Sequence, residues 1–216
     1  MKSVLITGGT VRLGKAIAAR LRAEGWRVIT SSHRADAGAD IVADLAEPMG
    51  AAKLYAAALQ MLDGNPPDAL VNNAALFTGD AAAIAAVNLE APKKLTMMMA
   101  GREAGVGAVV NILDAGVLDC NRLQSNAVDG YRESKRELAA FTRSAAATFA
   151  ATLRVNGVAP GPVMAPTEVH VKAGETLLAR RPTPDDVAAA VSYLIGAAAT
   201  TGTIIPVDAG QHLLAE

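Results

Sequence analysis

Short runs of apolar and β-branched residues alternate along this chain with longer Ala-rich stretches whose apolar positions recur at helical spacing. The runs Ser3–Thr7, Arg27–Ser31, Asp40–Val42, Ala69–Asn72, Ala108–Leu113, Leu153–Ala159 and Ile204–Val207 predict strands. The stretches Arg12–Glu24, Pro48–Leu62, Asp80–Gly101, Val128–Ala151 and Pro184–Gly196 predict helices. Leu13, Ile17 and Leu21 give the first helix one apolar stripe, which would face a sheet. Pro184 followed by Asp185 and Asp186 is a favourable helix start, with carboxylates at the positive end of the dipole. The strands are apolar on both faces, as they are when helices cover both sides. Strand alternating with helix predicts an α/β fold, a doubly wound parallel sheet with helices on both faces, as a single domain over residues 1–216. One connection is short. A parallel crossover needs about a dozen residues, and the stretch between Ser32 and Asp40 cannot hold a full helix.

Bulk properties narrow the class. A chain of 216 residues and 22.0 kDa suits one domain with one sizeable core. Hydrophobic residues at 51% against 19% charged exclude a disordered chain. A formal net charge of -1 offers no electrostatic footprint for nucleic acid or an anionic membrane. Cys120 is the single cysteine, so no internal disulfide can form and a reducing compartment is expected. The apolar run in "MKSVLITGG" is too short for a signal peptide, and no stretch is long enough to cross a bilayer. These features lead to the expectation of a soluble, cytoplasmic protein.

Three stretches carry candidate chemistry. Thr7, Gly8, Gly9 and Gly14 lie between the first strand and the first helix, where backbone N–H groups at a helix N-terminus can bind phosphate. Arg12 stands in this loop where a third glycine is common. "VNNAA" (Val71 to Ala75) closes the fourth strand at the end where an open parallel sheet binds its ligand, and its asparagine amides can tie neighbouring strands. "YRESK" puts Tyr131 and Lys135 on one helix face. A free tyrosine titrates near pH 10, and a neighbouring cation favours its phenolate. Taken singly, the three also read as a Gly-rich turn, a polar strand exit and a surface aromatic beside a lysine.

The ordered set Thr7-Gly8-x-x-x-Arg12-x-Gly14, Asn72-Asn73-Ala74-Ala75, Asn88 in "VNLEAP", Tyr131-x-x-x-Lys135, Pro160-Gly161-Pro162 and "TGTIIPVDAGQHL" resembles the short-chain dehydrogenase/reductase family. The resemblance covers almost the whole chain. It implies a Rossmann-like fold and a hydride-transferring oxidoreductase with a nicotinamide cofactor. By it, Tyr131 would be the general acid, Lys135 would hold the nicotinamide ribose and lower the Tyr131 pKa, and Asn88 would anchor a water. Asp114 stands where the family usually has serine, and with Arg12 it is similar to the pteridine-reductase branch. The cofactor contacts so implied are Gly8, Thr10, Arg12, Leu13, Gly14, Ser32, His33, Arg34, Asp44, Leu45, Asn73, Ala74, Ala75, Tyr131, Lys135, Pro160 and Gly161. No metal is implied.

Within this frame NADP(H) is expected over NAD(H). "SSHRA" offers Ser32, His33 and Arg34 to a 2′-phosphate where an NAD site has a carboxylate, although Asp36 lies near enough to serve as a ribose acceptor. Phe77, in the loop after the paired asparagines, is expected to leave the core and stack on a planar substrate, as its counterpart does in pteridine reductases. Arg12, Phe77, Asp114 and Tyr131 would then line the substrate site. The reading is an NADPH-dependent reductase of a pterin, dihydropterin or other small carbonyl or imine compound. The alternative is an NADP(H)-binding sensor or scaffold without turnover. Asp114 and Tyr131 are 17 positions apart, more than the family spacing, so Asp119, Ser125 or Asp129 compete with Asp114 for its role. The loop from Pro162 to Glu175, which usually folds over the substrate, is short. Family resemblance and the small residues "AAATFAA" point to a homo-oligomer, a tetramer.

Overall fold

The computed structural model of the protein describes residues 1–103, 105–118, 130–163 and 176–214. Its strands are β1 (Ser3–Thr7), β2 (Arg27–Ser32), β3 (Ile41–Val42), β4 (Ala69–Asn72), β5 (Gly107–Ile112), β6 (Leu153–Pro160) and β7 (Ile204–Val207). They form one parallel sheet in the order β3-β2-β1-β4-β5-β6-β7. Leu5 of β1 is flanked by Ile29 of β2 and Leu70 of β4, so the strand order changes sense between β1 and β4. The crevice at the carboxyl ends of β1 and β4 is the ligand position of such a sheet.

The helices are α1 (Arg12–Ala23), α2 (Gly50–Met61), α3 (Ala81–Ala85), α4 (Ala91–Ala100), α5 (Gly130–Thr148) and α6 (Pro184–Gly196). Alternation along each strand feeds two cores. Val4, Ile6, Val71 and Val110 meet Ile17 and Leu21 of α1 and Val187, Val191 and Leu194 of α6. Leu5, Leu70, Val109 and Val155 meet Leu54 of α2, Leu95 and Met99 of α4, and Ala145 and Ala146 of α5. Each fully buried Leu or Val contributes roughly 1.5–3 kcal/mol over leaving it in water. The sequence pattern is legible because each face of the central strands β1, β4, β5 and β6 has its own helical cover. α6 opens on a capping box: Thr183 Oγ1 accepts from Asp186 N, and an Asp186 carboxylate oxygen accepts from Thr183 N.

The connection from β2 to β3 is the reduced turn expected, a 3-10 turn over Ala35–Ala37 ended by left-handed Gly38. Asp40 staples it by accepting from Thr30 N and Thr30 Oγ1, both at 2.7 Å. The single helix expected over Asp80–Gly101 is not continuous. Asp80 is an N-cap accepting from Ala82 N and Ala83 N, and a π-helical turn over Ala86–Glu90 separates α3 from α4. Pro92 explains the interruption: it has no N–H for the carbonyl of Asn88, and its ring crowds that carbonyl in a regular α-helix. The predicted helix start at Val128 lies outside the described residues, as do the competing candidates Asp119, Ser125 and Asp129, the lone Cys120, and residues 164–175 of the short covering loop. Among the described residues no helix is long and apolar enough to cross a membrane.

Candidate active site

The turn between β1 and α1 is built against the end of β4. Thr7 Oγ1 accepts the backbone N–H groups of Asn73 (2.9 Å) and Ala74 (3.0 Å). The Asn73 amide donates to the carbonyls of Thr7 and Gly8, each at 3.0 Å. Gly8 has φ +61, and a Cβ on Gly14 would come within 2.0 Å of the Gly8 carbonyl oxygen, so no side chain fits at position 14. The α1 N-terminus has no side-chain cap on Val11 and no acidic residue in its first turn. Its unpaired N–H groups and dipole suit an anion, and the bare glycine turn suits the close approach of a diphosphate. The donor set therefore fits a dinucleotide. Thr10 and Leu13 are half-buried beside the turn, Ala74 half-buried and Ala75 exposed at the β4 exit. Arg12 is exposed and has φ 49, the left-handed region a glycine would enter freely.

The remaining chemistry meets at the carboxyl end of β5. Asp114 caps a 3-10 turn (Ala115–Val117) through Oδ1, which accepts from Gly116 N at 2.9 Å. Its other oxygen, Oδ2, accepts from the Tyr131 hydroxyl at 3.2 Å. The long gap in sequence between these residues thus closes in space. Lys135 is 3% exposed, and its Nζ donates to the Ile112 carbonyl at 2.8 Å and lies 5.7 Å from the Tyr131 ring centroid. Burial pushes its pKa down to about 8, against a smaller upward pull from the Asp114 carboxylate.

Asn88 is fully buried in the π-helical turn, a feature frequent at functional sites. Its amide is committed: Oδ1 accepts from Leu76 N (2.8 Å), and Nδ2 donates to Leu76 O (2.9 Å) and Ser134 Oγ (3.2 Å). This holds the loop carrying Phe77 against α5. Phe77 is 56% exposed rather than in the core, and its ring centroid lies 4.7 Å from that of Tyr131.

At the far end of β2, Ser32 Oγ accepts from Arg34 N at 3.1 Å, and His33 is exposed. Arg34 makes a bidentate pair with Asp36, at 3.0 and 2.7 Å. The two residues weighed against each other as cofactor ligands are therefore partners. Asp44 follows β3 exposed, its Oδ1 accepting from Ala46 N, and Leu45 is buried. Pro160 and Gly161 end β6, where Gly161 lies flat on Asp208. Asp208 is 3% exposed and accepts from Gly210 N, His212 N and His212 Nδ1. Sequence reasoning did not single out Asn111, Thr142, Ser134 or Asp208. Asn111 did carry a signal, a lone polar residue inside the apolar run "AVVNIL".

The family model described as enoyl-(acyl carrier protein) reductase matches residues 11–212. Pteridine reductase 1 of Leishmania tarentolae is 29% identical over 97% of this chain and 96% of its own length. The NADP complex of the alternative dihydrofolate reductase 1 FolM from Brucella suis superposes with a TM-score of 0.85, is 32% identical, and covers 100% of this chain and 97% of that one. A solved short chain dehydrogenase/reductase family protein superposes with a TM-score of 0.81 at 28% identity, covering 99% of this chain and 98% of that one.

Proposed function

The chain belongs to the short-chain dehydrogenase/reductase family, and on that premise we propose that it is an NADPH-dependent reductase of a small, planar, nitrogen-rich substrate of the pterin class. The reading is carried by one arrangement: an exposed aromatic ring, Phe77, 4.7 Å from the ring of Tyr131, whose hydroxyl donates to a carboxylate, Asp114, in place of the family's serine. A flat heterocycle gains on the order of 1 kcal/mol from stacking on such a ring, beyond the area it buries. Arg12 and Asp114 border the slot with a donor and an acceptor for amino and carbonyl groups. The pteridine reductase and the NADP-bound alternative dihydrofolate reductase among the relatives support the same class.

Bound NADPH supplies the hydride. The chain's own residues do the rest. Gly8, Gly14 and the α1 N-terminus would hold the diphosphate, Arg34 the 2′-phosphate, and Lys135 the nicotinamide ribose. Tyr131 Oη gives its proton to the substrate nitrogen or oxygen as the adjacent carbon is reduced. Lys135 stabilises the resulting phenolate, and Asp114, already hydrogen-bonded to Oη, is placed to relay a proton from solvent back to it. Asn88 sets the distance of the Phe77 loop from α5. We read the assembly as a homo-oligomer, a tetramer.

NADPH oxidation by the purified protein with dihydropterins, quinones and diketones tests this. Dihydropterin turnover is expected. Tyr131→Phe should lower kcat by roughly a hundredfold to ten-thousandfold while sparing NADPH binding, and Phe77→Ala should raise KM for the pterin alone. Turnover of quinones or diketones but no pterin removes the substrate class and keeps the reductase. NADPH binding with no turnover of any compound identifies a cofactor-binding sensor instead.

A further inference from the structure

A line of buried polar side chains crosses from the sheet to α5 behind the active site. Asn72 Nδ2 donates to Asn111 Oδ1 at 2.8 Å, and Asn111 Nδ2 donates to Thr142 Oγ1 at 2.9 Å. Thr142 Oγ1 donates on to Leu138 O at 2.7 Å. Asn72 is 2% exposed, and Asn111 and Thr142 are fully buried. Burying such groups without partners is costly, and apolar residues of similar shape would serve packing alone. The polar choice calls for another reason.

Geometry supplies one. Thr142 sits about two helical turns beyond Lys135, on the same face of α5. Descending α5, three contacts to the β5 segment follow in order: Tyr131 to Asp114, Lys135 to Ile112, and Thr142 to Asn111. The first two involve groups that the proposed chemistry uses directly. The third, equally buried, involves none of them. A helix lying on apolar side chains can rotate or slide by fractions of an ångström at little cost, whereas a directional hydrogen bond at one point and a lysine–carbonyl bond at another remove both freedoms. Asn72 extends the same fixation to β4, whose end positions Asn73 and the glycine turn.

We propose that Asn111 and Thr142 are positioning residues of the reduction: they fix the height and rotation of α5 and thereby the approach of the Tyr131 hydroxyl to Asp114. They touch neither substrate nor cofactor and act through Tyr131. This rests on the proton-donor role of Tyr131 stated above.

The test compares Thr142→Val, which keeps the shape and removes the hydroxyl, with Thr142→Ser, which keeps the hydroxyl. Thr142→Val should lower kcat at least about tenfold with the Kd for NADPH unchanged within about twofold, and Thr142→Ser should restore kcat. A second readout needs no substrate. The phenolate absorbance of each protein, minus that of its Tyr131→Phe counterpart, isolates Tyr131 from Tyr55 and Tyr193. Thr142→Val should move its ionisation midpoint by about half a pH unit or more, and Thr142→Ser should not. If Thr142→Val does not fold, Thr142→Ala at reduced temperature takes its place. A midpoint and kcat that stay put while the melting temperature falls would show a purely structural network and overturn the proposal. A shifted midpoint in a protein that reduces no pterin leaves the positioning role standing and removes only the substrate class.

Discussion

Lys135 is buried beside Tyr131, and its environment shifts its ionisation. Burial disfavours its charged form, so its folded pKa of about 8 lies below the ordinary 10.5. The sign for stability follows from proton counts. Between about pH 8 and 10.5 the unfolded chain binds more protons at this site, so its destabilising contribution is full below 8 and relieved as pH rises through that window. For activity the proposed role gives the opposite sign, because there the cation favours the phenolate and holds the ribose. We expect kcat/KM to fall above about pH 8 and Lys135→Arg to move that limb upward, read from a pH–rate profile. Arg34 and Asp36 give a second expectation. Their mutual pair lowers the Asp36 pKa and raises that of Arg34, and it holds the guanidinium fork against a carboxylate that a 2′-phosphate must share or displace. Arg34→Ala should weaken NADPH binding and leave NADH unchanged, whereas Asp36→Ala should tighten NADPH, both measured as Kd values. Tighter NADH than NADPH binding in the wild type would remove Arg34 from cofactor choice.

Among the elements, the start of α1 holds a strained residue. A non-glycine at left-handed φ costs roughly 1–2 kcal/mol, and Arg12 bears it at the mouth of the proposed anion site. At the opposite end of the sheet, Arg154 of β6 ties down the end of α6. Its guanidinium donates to the carbonyls of Leu194, Ile195 and Ala197 and, at 3.3 Å, of Thr200. Leu194 and Ile195 carry carbonyls of the kind a helix leaves unpaired at its C-terminus, Ala197 is the cap residue and Thr200 lies beyond it, and a cation there also meets the negative end of the dipole. Arg154→Met should destabilise the fold by about 2–4 kcal/mol, since several partly buried carbonyls lose a charged donor together. In a chain of this size that corresponds to a fall in melting temperature on the order of 5–15 °C. A change of less than about 2 °C would mean that water satisfies those carbonyls equally well.

For the molecule as a whole, chemistry and anchoring are separated along the strand direction. The glycine turn, Asp114, Tyr131 and Pro160-Gly161 gather at the carboxyl ends of the strands, as the parallel sheet dictates. Assembly is a distinct matter. Ala145 and Ala146 of "AAATFAA" are 2% exposed and pack inside the protein against the sheet, so they do not line an outer helix face. Ala147 on α5 and Met97 on α4 remain exposed. We expect a homo-oligomer formed through the α4 and α5 faces, with light scattering at micromolar concentration giving the mass of a tetramer. A monomer mass would leave these faces as ordinary surface, and Met97→Lys should dissociate the assembly without loss of the monomer fold.

Pattern alone was enough for the strand order along the chain, for the helices apart from the break within Asp80–Gly101, for the parallel class and for the stunted β2–β3 link, because burial on both faces of a strand and the reach of a crossover are local constraints written in residue type and spacing. The motif order likewise marked Gly8, Gly14, Asn73, Tyr131 and Lys135, since a turn, a helix start and a helical face are each read from neighbours in the chain. Residues far apart were decided only by packing. No spacing indicates that Asp114 meets Tyr131 17 positions away, that Asn88 spends its amide on Leu76 and Ser134, or that Asn111 bonds Thr142. Nor could composition tell whether Arg34 and Asp36 compete or pair, or whether the alanines of α5 face the core or a partner. A hydrogen bond is satisfied by whichever group the fold brings within about 3 Å, and that is a property of three-dimensional register rather than of sequence order.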